Sequence, residues 1–408
     1  MTATLRTSKR RMDALVVLLA FSVFILLGLP EGMLGVAWPS IRDTFGAPLE
    51  ALGLLILGGS GAFMLASFSS GRLVNHFGIA AVLILGCLVR SAGLLGYALA
   101  PSWWLVVTAS VIFGFGSGLI DAGMNTHFAI TYSERLMNWL HASFGIGATL
   151  GPLLMTALLN QNASWRWGYV LVGLLQGAIT LAIVATSSNW RLQPSTSNGS
   201  GTASPSPEVA TDPPAQPVAS VRETLRQPIV WLGVAVFFVY AGLEVTAGQW
   251  SYTLFTEGRG VDLKTAGLWV GVYWGSFTVG RVIFGVLAGR WPTTLVVRAM
   301  MAVAIASAAL IWWNPVDWVS FGGLALLGLA MAPIFPLLTS ATDKRMARRF
   351  AIHAVGYQVG AASLGIAVIP GLAGVLAARL GLEVIGPYQV VIAMAMFGLH
   401  EAMVRVKG

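Results

Sequence analysis

From Ala14 to Trp38 the chain carries a single charged side chain, Glu31, and stretches of the same kind recur almost to its end. Nothing else in the sequence constrains the fold as strongly. An apolar helix of ~20 residues crosses the hydrocarbon core of a bilayer and satisfies its own backbone hydrogen bonds, which no open irregular segment can do there. Twelve spans are expected, at 13–38, 48–70, 79–100, 103–131, 139–160, 166–188, 228–255, 263–288, 293–313, 317–341, 350–378 and 383–404. Composition agrees: 56% of the 408 residues are hydrophobic and 10% charged, against about 25% charged in soluble domains. The first apolar run is too long for a signal-peptide core and lacks a clear cleavage site, so it reads as the first span.

The formal charge of +8 invites a polyanion-binding reading, but its distribution argues against one. With the N-terminus inside, the inner segments hold Arg6, Lys9, Arg10, Arg11, Arg72, Arg135, Arg191, Arg222, Arg226, Arg290, Arg298, Lys344, Arg345, Arg348, Arg349, Arg405 and Lys407. The outer segments hold Arg42, Arg166, Arg259, Lys264 and Arg379. That bias is the positive-inside pattern, so both termini are expected in the cytoplasm and no nucleic-acid partner is expected. Trp103, Trp104, Trp165, Trp167, Trp312, Trp313 and Trp318 fall at span ends and read as an interfacial belt. The single cysteine, Cys87, can form no intrachain disulfide.

The apolar pattern breaks once, between Asn189 and Gln227, into Pro, Ser, Thr, Gly and Ala. Such composition does not order itself, so residues 189–227 are expected to be a flexible cytoplasmic linker between bundles at 1–188 and 228–408. An internal echo supports two halves. Gly71-Arg72-Leu73 through Asn75 to Gly78 follows the second span, and Gly285-Val286-Leu287 through Arg290 to Trp291 follows the eighth. Gly28-Leu29-Pro30-Glu31 is likewise echoed by Gly242-Leu243-Glu244. Repeated halves with a site between them are the architecture that alternating access uses.

Six plus six spans with the Gly71–Gly78 loop resemble the major facilitator superfamily. The expected fold is all-α: twelve transmembrane helices in two pseudo-symmetric six-helix bundles. The loop departs from the family pattern, with Asn75 where Asp is expected and Ile79 and Ala80 in place of basic residues, so the cytoplasmic charge latch is expected to be weakened. Gly71, Arg72, Asn75, Gly78, Gly285 and Arg290 are the candidate conformational residues. Within the superfamily, Asp121-Ala122-Gly123-Met124-Asn125 and the stretch Leu136 to Gly147 resemble the fucose permease group. So do Tyr240 to Val245, Tyr273-Trp274-Gly275 through Val279-Gly280-Arg281, and Pro333-Ile334-Phe335-Pro336. The resemblance implies a proton-coupled permease for a sugar or sugar-like solute, working as a monomer in a bacterial inner membrane. It also departs at Glu31, which, counted from Pro39, lies about one helical turn before the family's first-helix acid.

The ionisable residues within spans carry the mechanistic reading. Burying a charge in a span costs about 2.5–3.5 kcal/mol on insertion scales, so such groups are expected to face the bundle interior. Glu31, Asp121 and Glu244 are the proton-coupling candidates, since removal from water disfavours the charged carboxylate and suits a group that must load and unload a proton. Each has a plainer reading: Asp121 ion-paired to Arg90, Glu31 bonded to backbone freed near Pro30, Glu244 holding the halves together. Arg90, too deep to reach the interface, is the expected charge partner. Arg281 is expected to snorkel toward the cytoplasmic end. His127 and His141 are read either as proton relays or as plain interhelical hydrogen-bonding groups. Asn125, Asn138, His141, Gln249, Trp250, Tyr273, Trp274, Tyr357 and Gln358 offer the amides and aromatic rings a sugar needs.

Other chemistries find no foothold. The histidines are scattered without zinc spacing, and no phosphate-cradling Gly-x-x-x-x-Gly-Lys-Ser/Thr loop exists, so no enzyme activity, metal or cofactor is expected. The glycines 114, 116 and 118 fit close helix packing better than dinucleotide binding. Two other transport readings stay open, an exporter of amphipathic compounds driven by protons and a sugar uniporter, beside a non-transporting membrane sensor.

Overall fold

The computed structural model describes residues 2–190, 220–287, 289–345 and 348–406, with side chains left aside at 2–13, 134, 343–348 and 351–352. Among the described residues the chain is helical throughout, with no strand. The first half holds α1 (Thr2–Phe45), α2 (Leu52–Phe77), α3 (Ile79–Leu99), α4 (Trp103–Thr131), α5 (Glu134–Asn160) and α6 (Arg166–Ala185). The second holds α8 (Pro228–Thr253), α9 (Leu263–Val286), α10 (Thr293–Trp313), α11 (Asp317–Met331), α12 (Ile334–Arg345), α13 (Arg348–Leu380) and α14 (Ile385–Arg405). Among the described residues eleven segments are long and apolar enough to cross a membrane, with α11 and α12 counted as one, Asp317–Thr342. The twelfth helix, α9, falls outside that set and packs between α5 and α11, as α2 packs between α4 and α13 in the other half.

Of the expected linker, residues 191–219 lie outside the described set. Its last part is ordered: Ser220 caps the short α7 (Val221–Leu225), accepting from the Glu223 amide while the Glu223 carboxylate accepts from the Ser220 amide. That reciprocal cap offsets the polar composition that suggested a coil.

Small residues bring the helices together. α1 lies on α5 so closely that a side chain at Gly32 would meet the Pro152 ring at 2.6 Å. Within α4, Gly114 faces the Gly59 backbone of α2 and Gly116 faces the Arg90 backbone of α3, so the alternating glycines do serve helix packing. Prolines break the ladder: Pro333 separates α11 from α12, because it can neither donate to the preceding turn nor fit beneath it.

The tryptophan belt needs one correction. Trp104, Trp167, Trp312, Trp313 and Trp318 are exposed as expected. Trp165 instead is buried, donates from Nε1 to Thr44 Oγ1 at 3.0 Å and packs edge-on against Tyr169. It fastens the start of α6 to the end of α1.

Candidate functional site

One cavity of about 330 Å³ lies between the halves, within the size range of small-molecule sites. Most of its wall comes from the first half, through α1 to α6, and the rest from α8, α9 and α13. Glu31, Asp121 and Glu244, from three helices and both halves, all line it. Glu31 is exposed by surface area although helices surround it, because its carboxylate faces the lumen; Asp121 and Glu244 are half-buried.

The three acids have different neighbours. Glu31 interacts electrostatically with Arg90, and Glu244 with Arg281 and the Tyr240 hydroxyl. Asp121 has Asn125, one turn on, as its hydrogen-bonding neighbour. No ion pair joins Asp121 to Arg90. The Arg90 guanidinium is fully buried and donates to Ser117 Oγ at 3.0 Å, Gln176 Oε1 at 2.8 Å and the Leu26 and Leu27 carbonyls at 2.8 and 3.2 Å. Its one aromatic contact is Phe113, 5.0 Å from the ring centroid.

The structure divides the other candidates. His141, Gln249 and Trp274 line the cavity. Gln249 also donates to the Glu31 carbonyl at 2.9 Å, a hydrogen bond from one half to the other. Trp250 does not reach the cavity: it is fully buried and donates to the Pro370 carbonyl at 2.9 Å, tying α8 to α13. Tyr273 is likewise buried, its hydroxyl on the Glu244 carbonyl at 2.7 Å. Gln358 accepts from Thr342 Oγ1 at 3.0 Å within the second half. Asn125, Asn138 and Tyr357 also stand outside the lining, with Asn138 exposed near the start of α5. His127 is buried among Phe128, Tyr132 and Trp190, away from the cavity.

Two lining tyrosines went unread in the sequence, and Arg281 was placed differently. Tyr97 and Tyr169 stack at 4.9 Å with 22° between planes and stand in the wall. They sit in apolar helices where a tyrosine passes for packing. Arg281, expected to snorkel, lines the cavity and lies 4.4 Å over the Phe277 ring. The cavity extends to its end of α9, so the guanidinium finds an interior instead of an interface.

The two ends of the cavity differ. Remote from the chain termini, α1 meets α8 backbone to backbone, with a Cβ at Gly35 falling 2.8 Å from the Gly248 carbonyl oxygen. Gly53 and Gly371 bring α2 onto α13, and Arg42 Nη2 pairs across the halves with Glu257 Oε2 at 2.9 Å. Toward the termini the lining reaches the exposed His141, and a Cβ at Gly356 or Gly360 of α13 would meet nothing within 4 Å. Gly71, Arg72, Asn75, Gly78, Gly285 and Arg290 are exposed, and Gly78, at φ 81°, supplies the left-handed turn between α2 and α3. The halves thus meet closely at the far end, while toward the termini the cavity lining reaches an exposed residue.

Comparison with known proteins places this architecture. The profile of the Major Facilitator Superfamily matches residues 20–370. Bypass of stop codon protein 6 of Saccharomyces cerevisiae is 22% identical, over 93% of this chain and 80% of its own length. Human sodium-dependent glucose transporter 1 is 24% identical, over 86% of this chain and 72% of its own. The multidrug efflux pump SdrM of Staphylococcus aureus is 26% identical over 43% of this chain and 38% of its own. Among solved structures, a bacterial homologue of the human lysosomal transporter Spinster, inward-facing and occupied, superposes with a TM-score of 0.73 at 13% identity, covering 96% of this chain and 97% of that one. The E. coli fucose:proton symporter superposes at 0.61 and 15% identity, covering 96% and 98%. The chain is therefore a transporter, not an enzyme, and it belongs to the major facilitator superfamily.

Proposed function

We propose that this transporter is a proton-coupled symporter of a sugar or sugar-like solute that works by alternating access. One observation carries the reading: carboxyl groups from α1, α4 and α8 converge on a single cavity between the two halves. An ionisable group inside a membrane bundle is expensive unless it serves a pathway. Asp121 is the leading proton carrier, because no cation pairs with it among the described residues and its charge can change without breaking a salt bridge. Glu31 and Glu244 lie close enough to Arg90 and Arg281 for each proton taken up to alter a charge balance. For the solute, Tyr97, Tyr169 and Trp274 offer ring faces to C–H surfaces, while Ser60, His141 and Gln249 offer hydrogen bonds to hydroxyls.

The positive-inside bias supports both termini in the cytoplasm, and a bacterial inner membrane is the proposed location. The closed far end is then extracellular, and the structure is the inward-facing state. Bundles 1–188 and 228–408 are the rocking units, joined by residues 189–227, and a monomer suffices. The human glucose transporter and the fucose symporter, by their names, support a sugar.

An exporter of amphipathic compounds is the second reading, favoured by the apolar wall of Leu27, Leu34, Leu55, Ile56 and Leu94 and by the likeness to an efflux pump. Reconstituted vesicles with an imposed pH gradient decide between them, against a panel of hexoses, polyols and amphipathic drugs. Accumulation of one sugar or polyol driven by the gradient is expected. Sugar uptake indifferent to the gradient would make the protein a uniporter, and gradient-driven movement of the drugs alone would make it an exporter.

A further inference from the structure

Pro30 lies inside α1, immediately before Glu31. A proline within a helix has no N–H to give to the carbonyl four residues earlier, here that of Leu26. Such a carbonyl, stranded in a bilayer core, must find another donor. The structure supplies one from another helix: Arg90 of α3 donates to the Leu26 carbonyl at 2.8 Å and to the Leu27 carbonyl at 3.2 Å. The same guanidinium is anchored to α4 through Ser117 and to α6 through Gln176. A fully buried cation with no carboxylate within ion-pair distance is unusual, since buried charge is costly unless paired or fully hydrogen-bonded. Here four acceptors on three helices take its hydrogen bonds. A planar fork can reach several acceptors at once where the point charge of a lysine cannot.

We infer that Arg90 is a positioning residue for Glu31 that acts through the main chain at the Pro30 break. It replaces the missing turn of hydrogen bonding and fixes the rotation of α1 that turns Glu31 into the cavity. The anchors on α4 and α6 tie that rotation to the rest of the first half. The inference deepens the proposed function, which gives Glu31 its purpose, but its test does not depend on transport.

The test places a reporter thiol at the position itself. In a C87S background, Glu31→Cys replaces the acid with a thiol, and because the thiolate is the reacting species each rate is corrected for the thiolate fraction read from its own pH dependence. The rate of reaction with neutral N-ethylmaleimide then reports how well position 31 faces the cavity. Arg90→Lys keeps the charge and loses the fork, and is expected to slow that reaction roughly tenfold, the factor that about 1.4 kcal/mol produces. Pro30→Ala restores the N–H that the Leu26 carbonyl lacks. In that background the same Arg90→Lys change is expected to slow the reaction by less than about threefold, because the clamp is redundant. Gln176→Leu, which removes an anchor and leaves Arg90 in place, is expected to slow it in the same background-dependent way, and stands in if R90K elutes as aggregate. A rate unchanged by R90K and by Q176L overturns the inference. So does an equal slowing with and without Pro30, which would show general loosening of the bundle.

Discussion

Gly35→Ala is the sharpest perturbation the far end offers. A Cβ there would stand 2.8 Å from the Gly248 carbonyl oxygen and 2.9 Å from Gln249 Cα, where ordinary contact begins at 3.4 Å. Both neighbours are backbone of α8, so neither can swing aside, and α1 and α8 must separate by about half an ångström or more. Overpacking of this kind costs ~1–3 kcal/mol. The strain exists only while the far end is closed, so it favours the state in which the halves part there. It corresponds to a population shift of roughly 5- to 150-fold. The assay is a distance measurement between spin labels at Gln161 and Arg379, exposed residues at the far ends of α5 and α13, in a C87S background. The parent protein should show a short separation, and the Gly35→Ala variant a second, longer one. Gly32→Ala is the control: its methyl meets α5 of the same half, so it should lower yield without altering the distance between halves. An unchanged distribution in folded Gly35→Ala protein would refute the reasoning that this contact closes the far end.

Three further outcomes follow from the same geometry. The Arg42–Glu257 pair is part-exposed, at 24% and 30%, and is worth about 1 kcal/mol at most; Arg42→Gln should shift the same labels toward the longer distance by about fivefold at most, the lower end of the range for Gly35→Ala, and the charge-swapped double variant R42E/E257R should reverse the shift. Tyr273→Phe removes a 2.7 Å hydrogen bond inside the second half and should lower unfolding stability by about 1 kcal/mol in a denaturation series while leaving transport specificity unchanged. Trp250→Phe, which frees the Pro370 carbonyl, should likewise lower stability and leave substrate affinity intact; a selective loss of affinity would return Trp250 to the binding site.

The fold was legible because each span advertises itself by length and lack of charge. Even α9, less apolar than its fellows, was placed as one of the twelve apolar stretches. The acids were legible for the related reason that a carboxylate in a span has few tolerable surroundings. What the sequence hid was the rotation of each helix. α8 is apolar on every side and buried on most, so nothing in its pattern tells Gln249, which lines the cavity, from Trp250, which turns to α13. Tyr273 and Gln358 were misread in the same way, since a polar group can as well satisfy a neighbouring helix as a ligand. Arg90 was correctly taken as interior, but beside the Ser117 and Gln176 side chains its partners are main-chain oxygens of α1. Only Pro30 marks them in the sequence, and that mark is read once α3 is known to cross α1 at that level.

In the proposed mechanism, carboxyl groups around one cavity link solute movement to hydrogen ions. Its most direct test is a pH electrode on reconstituted vesicles, with no imposed gradient, when a transported sugar is added outside. Proton disappearance from the medium that keeps pace with sugar uptake, and that is abolished in Asp121→Asn while sugar still binds, is the predicted record. Sugar entry with no change in external pH, or a proton signal undiminished by Asp121→Asn and by Glu31→Gln alike, would contradict the account.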